Sequence, residues 1–177
     1  MKKILLVIAC LVLTLALTAC GAKEAEYKLG MGVVTSLESS KAGNAQVDAT
    51  VAAVVTDAEG KIVACRIDVA QNKSKIENGA ATVNATFKSK MELGNDYGMA
   101  GKVDNDGNGV MLEWFEQVHA FEAYVIGKTG AEVAAMETAT NSIGYQMATD
   151  ADLLAAGCTI QITAIKAVVA KSVANAR

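Results

Sequence analysis

Hydrophobic positions recur along the chain at two different periods. From residue 29 they alternate: Leu29, Met31, Val33 and Leu37 share one face at period two, the pattern of a half-buried strand with its apolar side toward a core. Val47 to Thr56 resumes the alternation, and Lys61 to Val69 repeats it with Val63, Cys65, Ile67 and Val69 on one face. Asp57-Ala58-Glu59-Gly60 joins these two runs as a tight turn, with Gly60 supplying a left-handed backbone, so the three runs predict an antiparallel meander. Glu38 to Gln46 is a connecting loop. Ala80 to Phe87 fits either a fourth strand or a loose connection. Phe87 to Met99, with Lys88, Lys90, Tyr97 and several glycines, reads as an irregular loop of the kind that lines a site.

The period then changes. Met111, Trp114, Phe115, Val118, Glu122 and Val125 are spaced by three and four, which predicts a helix over 110–126 stopped by Gly127. Its Trp114, Phe115 and Phe121 suit a core, and a flat ligand is the alternative. Thr129-Gly130-Ala131-Glu132 is a capping box that opens a second helix reaching about residue 138. Thr149-Asp150-Ala151-Asp152 opens a third, closed at Gly157. The apolar stripe from Ala164 to Val173 forms the last helix. In one reading of the stretch between these two helices, Gly157 closes the first, 158–162 form a short strand and Thr163 caps the second. In the other, Thr159 stands ahead of a helix start whose free N–H groups favour a phosphate. Strands first and helices later give an α+β fold: an antiparallel sheet of three to five strands, packed on one side by three or four helices.

The N-terminus changes the setting. Lys2 and Lys3 precede an apolar run, Ile4 to Leu17, that ends in Leu17-Thr18-Ala19-Cys20-Gly21. The run is shorter than the ~20 residues of a spanning helix, and its basic start and small-residue end fit a cleaved export signal better than an anchor helix. Leu-Thr-Ala-Cys is similar to the bacterial lipoprotein box. That resemblance implies a signal peptide over 1–20, a diacylated Cys20 as the mature N-terminus, and a location on the outer side of the cell membrane. Residues 21–28 read as a flexible linker, and 29–177 have the size of a single domain.

Charge narrows the partners. Without Lys2 and Lys3 the chain keeps 14 basic against 19 acidic residues, a net charge of −5, and it has no basic run. This argues against nucleic acid as a partner and against electrostatic membrane binding beyond the lipid. Cys10 leaves with the signal. Cys65 and Cys158 read as buried free thiols, with a bridge between them as the minority reading. The chain has 1 histidine, His119, and no paired-cysteine spacing, so no metal ligand set is visible. Asp104-Asn105-Asp106-Gly107-Asn108-Gly109 resembles the first half of a calcium loop, but the twelfth position is Phe115 where a bidentate carboxylate is required, so it reads as a turn. One histidine and no nucleophile elbow leave little for hydrolysis, so a stand-alone hydrolase is not expected.

Two segments then carry a family likeness. The Val47–Val69 hairpin with Asp57-Ala58-Glu59-Gly60-Lys61-Ile62 at its turn, and Ala156-Gly157-Cys158-Thr159-Ile160-Gln161-Ile162 before an alanine-rich helix, resemble the FMN-binding-domain family of bacterial lipoproteins and ion-pumping redox complexes. The family signature runs approximately Ser-Gly-Ala-Thr-x-x-Ser, so this chain departs from it at Ala156, Cys158 and Ile162. The nearest acidic residue ahead of it, Asp152, is one position out of register. The resemblance implies FMN, joined by a flavin transferase as a phosphoester at Thr159 or bound without a covalent link, with Gly157 and Cys158 beside it. It also implies an apolar or aromatic wall for the ring, for which Tyr97, Met99 and Trp114 are the candidates, and redox partner proteins at the membrane. The alternative is a non-redox lipoprotein module that binds a small ligand or a partner protein.

Overall fold

Gly30 and Gly32 decide how the sheet is built. In the computed structural model, which describes residues 26–83, 87–102, 111–142 and 144–177, β1 (Lys28–Ser36), β2 (Asn44–Thr56), β3 (Ile62–Glu77) and β4 (Ala80–Val83) form a four-stranded antiparallel sheet in the order β1-β2-β3-β4. The export signal, its Cys20, the linker up to residue 25 and the Asp104–Gly109 stretch lie outside the described residues. The period-two reading of β1 is correct, but the face is inverted. Gly30 and Gly32 are buried, whereas Leu29 and Met31 are 64% and 63% exposed, and Val33 and Leu37 are also exposed. The reason is the last helix. A Cβ on Gly30 would press into the backbone carbonyl of Ser172, 2.9 Å from its carbon and 3.0 Å from Ala176 N, and one on Gly32 would lie 2.8 Å from Ser172 Oγ. Only glycine allows that approach.

The inner face continues across the pairings Gly30↔Val54↔Cys65 and Gly32↔Ala52↔Ile67. A register shift between Val55 and Thr56 pairs Thr56 with Ile62. It turns Ile62 inward and leaves Val63 exposed, which corrects the expected Val63–Cys65 face. At the β2–β3 turn Asp57 Oδ1 accepts from Glu59 N (3.1 Å) and Lys61 N (2.8 Å), and Gly60 has the expected positive φ of 78°.

Helices cover that inner face. They are α1 (Lys90–Leu93), α2 (Trp114–Tyr124), α3 (Gly130–Ala134), α4 (Ala151–Ala155) and α5 (Thr163–Ala174), and the described chain is therefore α+β, with an antiparallel sheet packed on one side by helices. The core joins Ala52, Val54, Ile62 and Ile67 of the sheet to Val118 and Phe121 of α2 and to Ile165, Val168 and Val169 of α5. Within 87–99 the chain forms α1 and a 3-10 helix over Gly94–Tyr97 instead of an irregular loop. Ser89 and Glu92 make the capping box that starts α1, through Glu92 N→Ser89 Oγ (3.2 Å) and Ser89 N→Glu92 Oε2 (2.7 Å). The capping box at Thr129 and Glu132 is present, but α3 ends at Ala134. The chain then makes a small second sheet, β5 (Thr138–Thr140) with β6 (Gln146–Ala148). Among the described residues no helix is long and apolar enough to cross a membrane.

Side chains engage backbone groups at the β1 edge and along the part of β3 that β4 does not cover. On β1, Lys171 Nζ donates to Val33 O (2.8 Å) and Asn175 Nδ2 to Met31 O (3.0 Å). On β3, the buried Glu122 of α2 accepts from Ile67 N (2.7 Å) through Oε1 and from Arg66 through Oε2 (2.7 Å). Replacing Glu122 with alanine strands a buried N–H, so urea unfolding should show a loss of about 1–3 kcal/mol. Glu122→Gln keeps an acceptor and should lose less. The Arg66 partner is 78% exposed, so its own loss of pairing should add little.

Candidate functional site

The sequence-selected residues converge on the first turn of α2. Glu113 precedes this helix, and Glu116 Oε2 accepts from Glu113 N (2.8 Å). Trp114 and Gln117 then fall one turn apart on the buried face. Gln117 is fully buried and links three segments. Its Nε2 donates to Leu112 O (2.9 Å) and lies 3.4 Å from Met99 Sδ, and its Oε1 accepts from Thr159 N (2.8 Å) and Thr159 Oγ1 (3.3 Å).

Local chemistry brings Thr159 to this position. Asp150 caps α4 by accepting from Asp152 N and Leu153 N, both at 3.1 Å. Gly157, with φ of 91°, ends the helix and turns the chain back, and Cys158 N donates to Leu153 O (3.2 Å). A Cβ on Gly157 would lie 2.5 Å from Leu112 Cδ1, so the space that this glycine leaves open is filled by a leucine. Thr159 is half-buried, and Cys158 beside it is fully buried. Only Gln161 makes a bridge, with Met147, so 158–162 is not a strand. Ile162, and not Thr163, is the N-cap of α5, and its N–H is used by Gln146 O (3.0 Å). Thr159 therefore stands three residues ahead of the helix cap, and its backbone is fixed by its own N–H, which donates to Gln117 Oε1.

A second group adjoins the first. Lys90 Nζ lies 4.9 Å from the Tyr97 ring centroid and 5.2 Å from that of Trp114, a cation held between two aromatic faces. The carboxylate of buried Glu113 accepts from Ala100 N (2.9 Å) and Met99 N (3.1 Å), tying the segment after Tyr97 to the start of α2. Burial alone would raise the Glu113 carboxyl; the N–H groups of Ala100, Met99 and Trp114 and the charge of Lys102 outweigh it and hold the group below its ordinary range.

Thr159 and Met99 thus meet through Gln117, and Trp114 and Tyr97 meet through Lys90. Tyr97 and Met99 are half-buried, whereas Trp114 is 3% exposed and belongs to the core. Gln117, Lys90 and Glu113 complete the cluster. Gln117 carries a legible signal, a polar residue inside an apolar helical stripe, while the roles of Lys90 and Glu113 depend on tertiary contacts. Thr159 is half-buried with its backbone N–H held by Gln117, and an ester at its Oγ1 would give up the 3.3 Å hydroxyl contact to that glutamine. Stacking on Trp114 does not fit, because that ring is closed off by the core and by Lys90. Tyr97 and Met99 are the remaining wall.

Cys65 and Cys158 are both buried free thiols. Burial raises each to about 12, with the Glu122 charge adding to the effect at Cys65. The reactive thiolate is then scarce at pH 8. Iodoacetamide should leave both thiols unmodified in the native protein and label both in urea, as read by intact mass. His119 is half-exposed, stacks edge-on against Phe115 at 5.9 Å and lies 4.0 Å from Glu122 Oε2. Among the described residues no group of His, Cys, Asp and Glu is arranged to hold a metal ion. A shallow depression of about 280 Å³, lined by Ser39, Gln46, Lys73, Lys75 and Thr82 among others, includes none of the residues around Thr159.

No protein-family model, curated protein or solved structure matches the chain.

Proposed function

We propose that the chain is a lipid-anchored extracytoplasmic domain that carries FMN for electron transfer, with Thr159 as the attachment point. The observation that supports this most strongly is the grip on Thr159. A buried glutamine fixes its backbone by a 2.8 Å hydrogen bond, and the residue remains half-exposed. A hydroxyl held in this way suits a transferase that must find it and form an ester there. FMN, once joined, supplies the redox chemistry. The chain's own contribution is to hold the Thr159 backbone in place through Gln117, to offer Tyr97 and Met99 as flanking surface, and to present Lys90 as the cation of the cluster.

The test is to produce residues 21–177 with and without a flavin transferase and FMN donor, then to record intact mass and visible spectrum. A yellow protein whose added mass disappears in Thr159→Ala is expected. A colourless, unmodified protein that also fails to take up free FMN would overturn the reading.

One observation favours a second reading, a non-redox lipoprotein module that binds a partner. The sheet face turned away from the helices is apolar along β1 and β2, with Leu29, Met31, Val33 and Ala53 exposed on it. Uncovered apolar area of this kind marks a contact surface. The flavin test separates the two readings, because this module takes up no flavin.

A further inference from the structure

We infer that the outward face of β1 and β2 rests on the bilayer that holds the lipid anchor, an inference that depends on the lipid-anchor part of the reading above. The inverted pattern of β1 is the starting point. Its glycines pack inward, so Leu29, Met31 and Val33 point out, and the register sets them beside Val55, Ala53 and Val51 of β2. Six adjacent positions on two strands are therefore apolar and without a charge. The next strand adds Ala64, Arg66 and Asp68 on the same face. The carboxylate of Asp68 is held by Val69 N (2.7 Å) and Met91 N (3.1 Å), and the Arg66 guanidinium is paired with the buried Glu122 (2.7 Å), so both charges at the margin of the strip are already engaged. A neutral apolar strip whose bordering charges are already paired suits the acyl-chain side of a membrane interface.

The tether selects the membrane as occupant. Only eight residues, 21–28, separate Cys20 from Leu29, a reach of at most about 30 Å when fully extended. The chain leaves the anchor, passes Tyr27, which is 61% exposed, and reaches the first outward residue of the strip at Leu29. Aromatic side chains favour the headgroup level. The apolar strip therefore begins where the anchor's leash ends.

The edge of β1 is prepared for such a setting. The carbonyls of Leu29, Met31 and Val33, the residues whose side chains form the strip, are accepted contacts of Arg177 N (3.3 Å), Asn175 Nδ2 (3.0 Å) and Lys171 Nζ (2.8 Å). An unpaired carbonyl at this edge would be costly against lipid, and each is already engaged by the C-terminal end of α5.

The test uses the full lipidated chain in vesicles of phosphatidylethanolamine and phosphatidylglycerol, with acylation of Cys20 verified by mass. An environment-sensitive fluorophore is placed at Met31→Cys or, for comparison, at Glu59→Cys in the β2–β3 turn, and doxyl-labelled lipids act as quenchers. Several-fold stronger quenching at 31 than at 59 is expected, with loss of the excess when Leu29 and Val33 are both changed to Asp while the protein stays vesicle-bound. Equal weak quenching at both sites in an acylated, vesicle-bound protein would overturn the inference and leave the anchor intact. A chain without acyl groups on Cys20 would overturn both. A concentration-dependent dimer in which the label at 31 is shielded without lipid would assign the face to a second copy.

Discussion

Replacing Gly30 with alanine should destabilise the protein by about 3 kcal/mol, the upper part of the range for overpacking a core, although the change adds a single methyl group. The cause is what the methyl meets. Its neighbours would be the carbonyl of Ser172 and the backbone nitrogen of Ala176, with the latter at 3.0 Å. Side-chain rotation relieves neither contact, so α5 as a whole must back away from the sheet. That motion would open the contacts of Ile165, Val168 and Val169 with Ala52 and Val54, which are all buried. It would also pull Ser172 Oγ from Ala52 O, now 3.0 Å away. Gly32→Ala should cost less, because its nearest neighbour, Ser172 Oγ at 2.8 Å, is a side-chain atom and its backbone neighbours, Val168 O and Ser172 N, stand at 3.0 Å and 3.1 Å, a milder approach than that of Gly30 to the Ser172 carbonyl. Met31→Ala, between the two glycines, removes a large apolar side chain that is 63% exposed and should change stability by less than about 0.5 kcal/mol. Urea unfolding of the three variants checks the order. A larger loss for Met31→Ala than for Gly30→Ala would mean that the sheet is packed the other way round.

The second large effect is expected at Gln117. Changing it to leucine preserves approximate volume and apolar packing in a fully buried position, but it removes the acceptor for Thr159 N and the donor to Leu112 O. Each stranded group costs about 1–3 kcal/mol, so the variant should lose about 2–5 kcal/mol. Stability alone would not distinguish this from ordinary core damage. Hydrogen exchange does: protection of the Thr159 amide should fall well beyond the global loss, while the amides of β2 and β3 should follow the global loss only. If Thr159 stays protected in Gln117→Leu, the glutamine does not hold the loop.

Much of the fold was legible because local chemistry agrees with it. The Asp57–Gly60 turn, the Thr129–Glu132 capping box and the period of α2 each appear where their residues predict. Hydropathy misled at β1. Alternation there assigns the apolar set to the core, but the opposite set contains Gly30 and Gly32, whose value is closeness and not hydrophobicity. A one-residue shift between Val55 and Thr56 moved Val63 outward for a reason that no side-chain pattern records. The Ser89–Glu92 capping box is a readable helix start, set in a stretch whose glycines, Gly94 and Gly98, favour a loop reading. The β5–β6 hairpin depends on Asn141, whose Oδ1 accepts from Tyr145 N (2.8 Å), and on Gly144 with φ of 90°, a weak signal inside a short polar stretch. At the site, Thr159, Gly157 and Cys158 came from a signature, and Tyr97, Met99 and Trp114 from aromatic and apolar character. Gln117 binds the first group to Met99; it is legible as a polar residue inside the apolar stripe of α2, but its partners follow only from the placement of α2 against the Gly157 turn.

Mass mapping of the chain extracted from its own membrane tests the central claim most directly. A lipid-anchored flavin carrier predicts an N-terminal peptide that begins at acylated Cys20 and a C-terminal peptide that carries FMN in ester linkage at Thr159. An unprocessed N-terminus together with an unmodified Thr159, in protein that also contains no dissociable flavin, would contradict it.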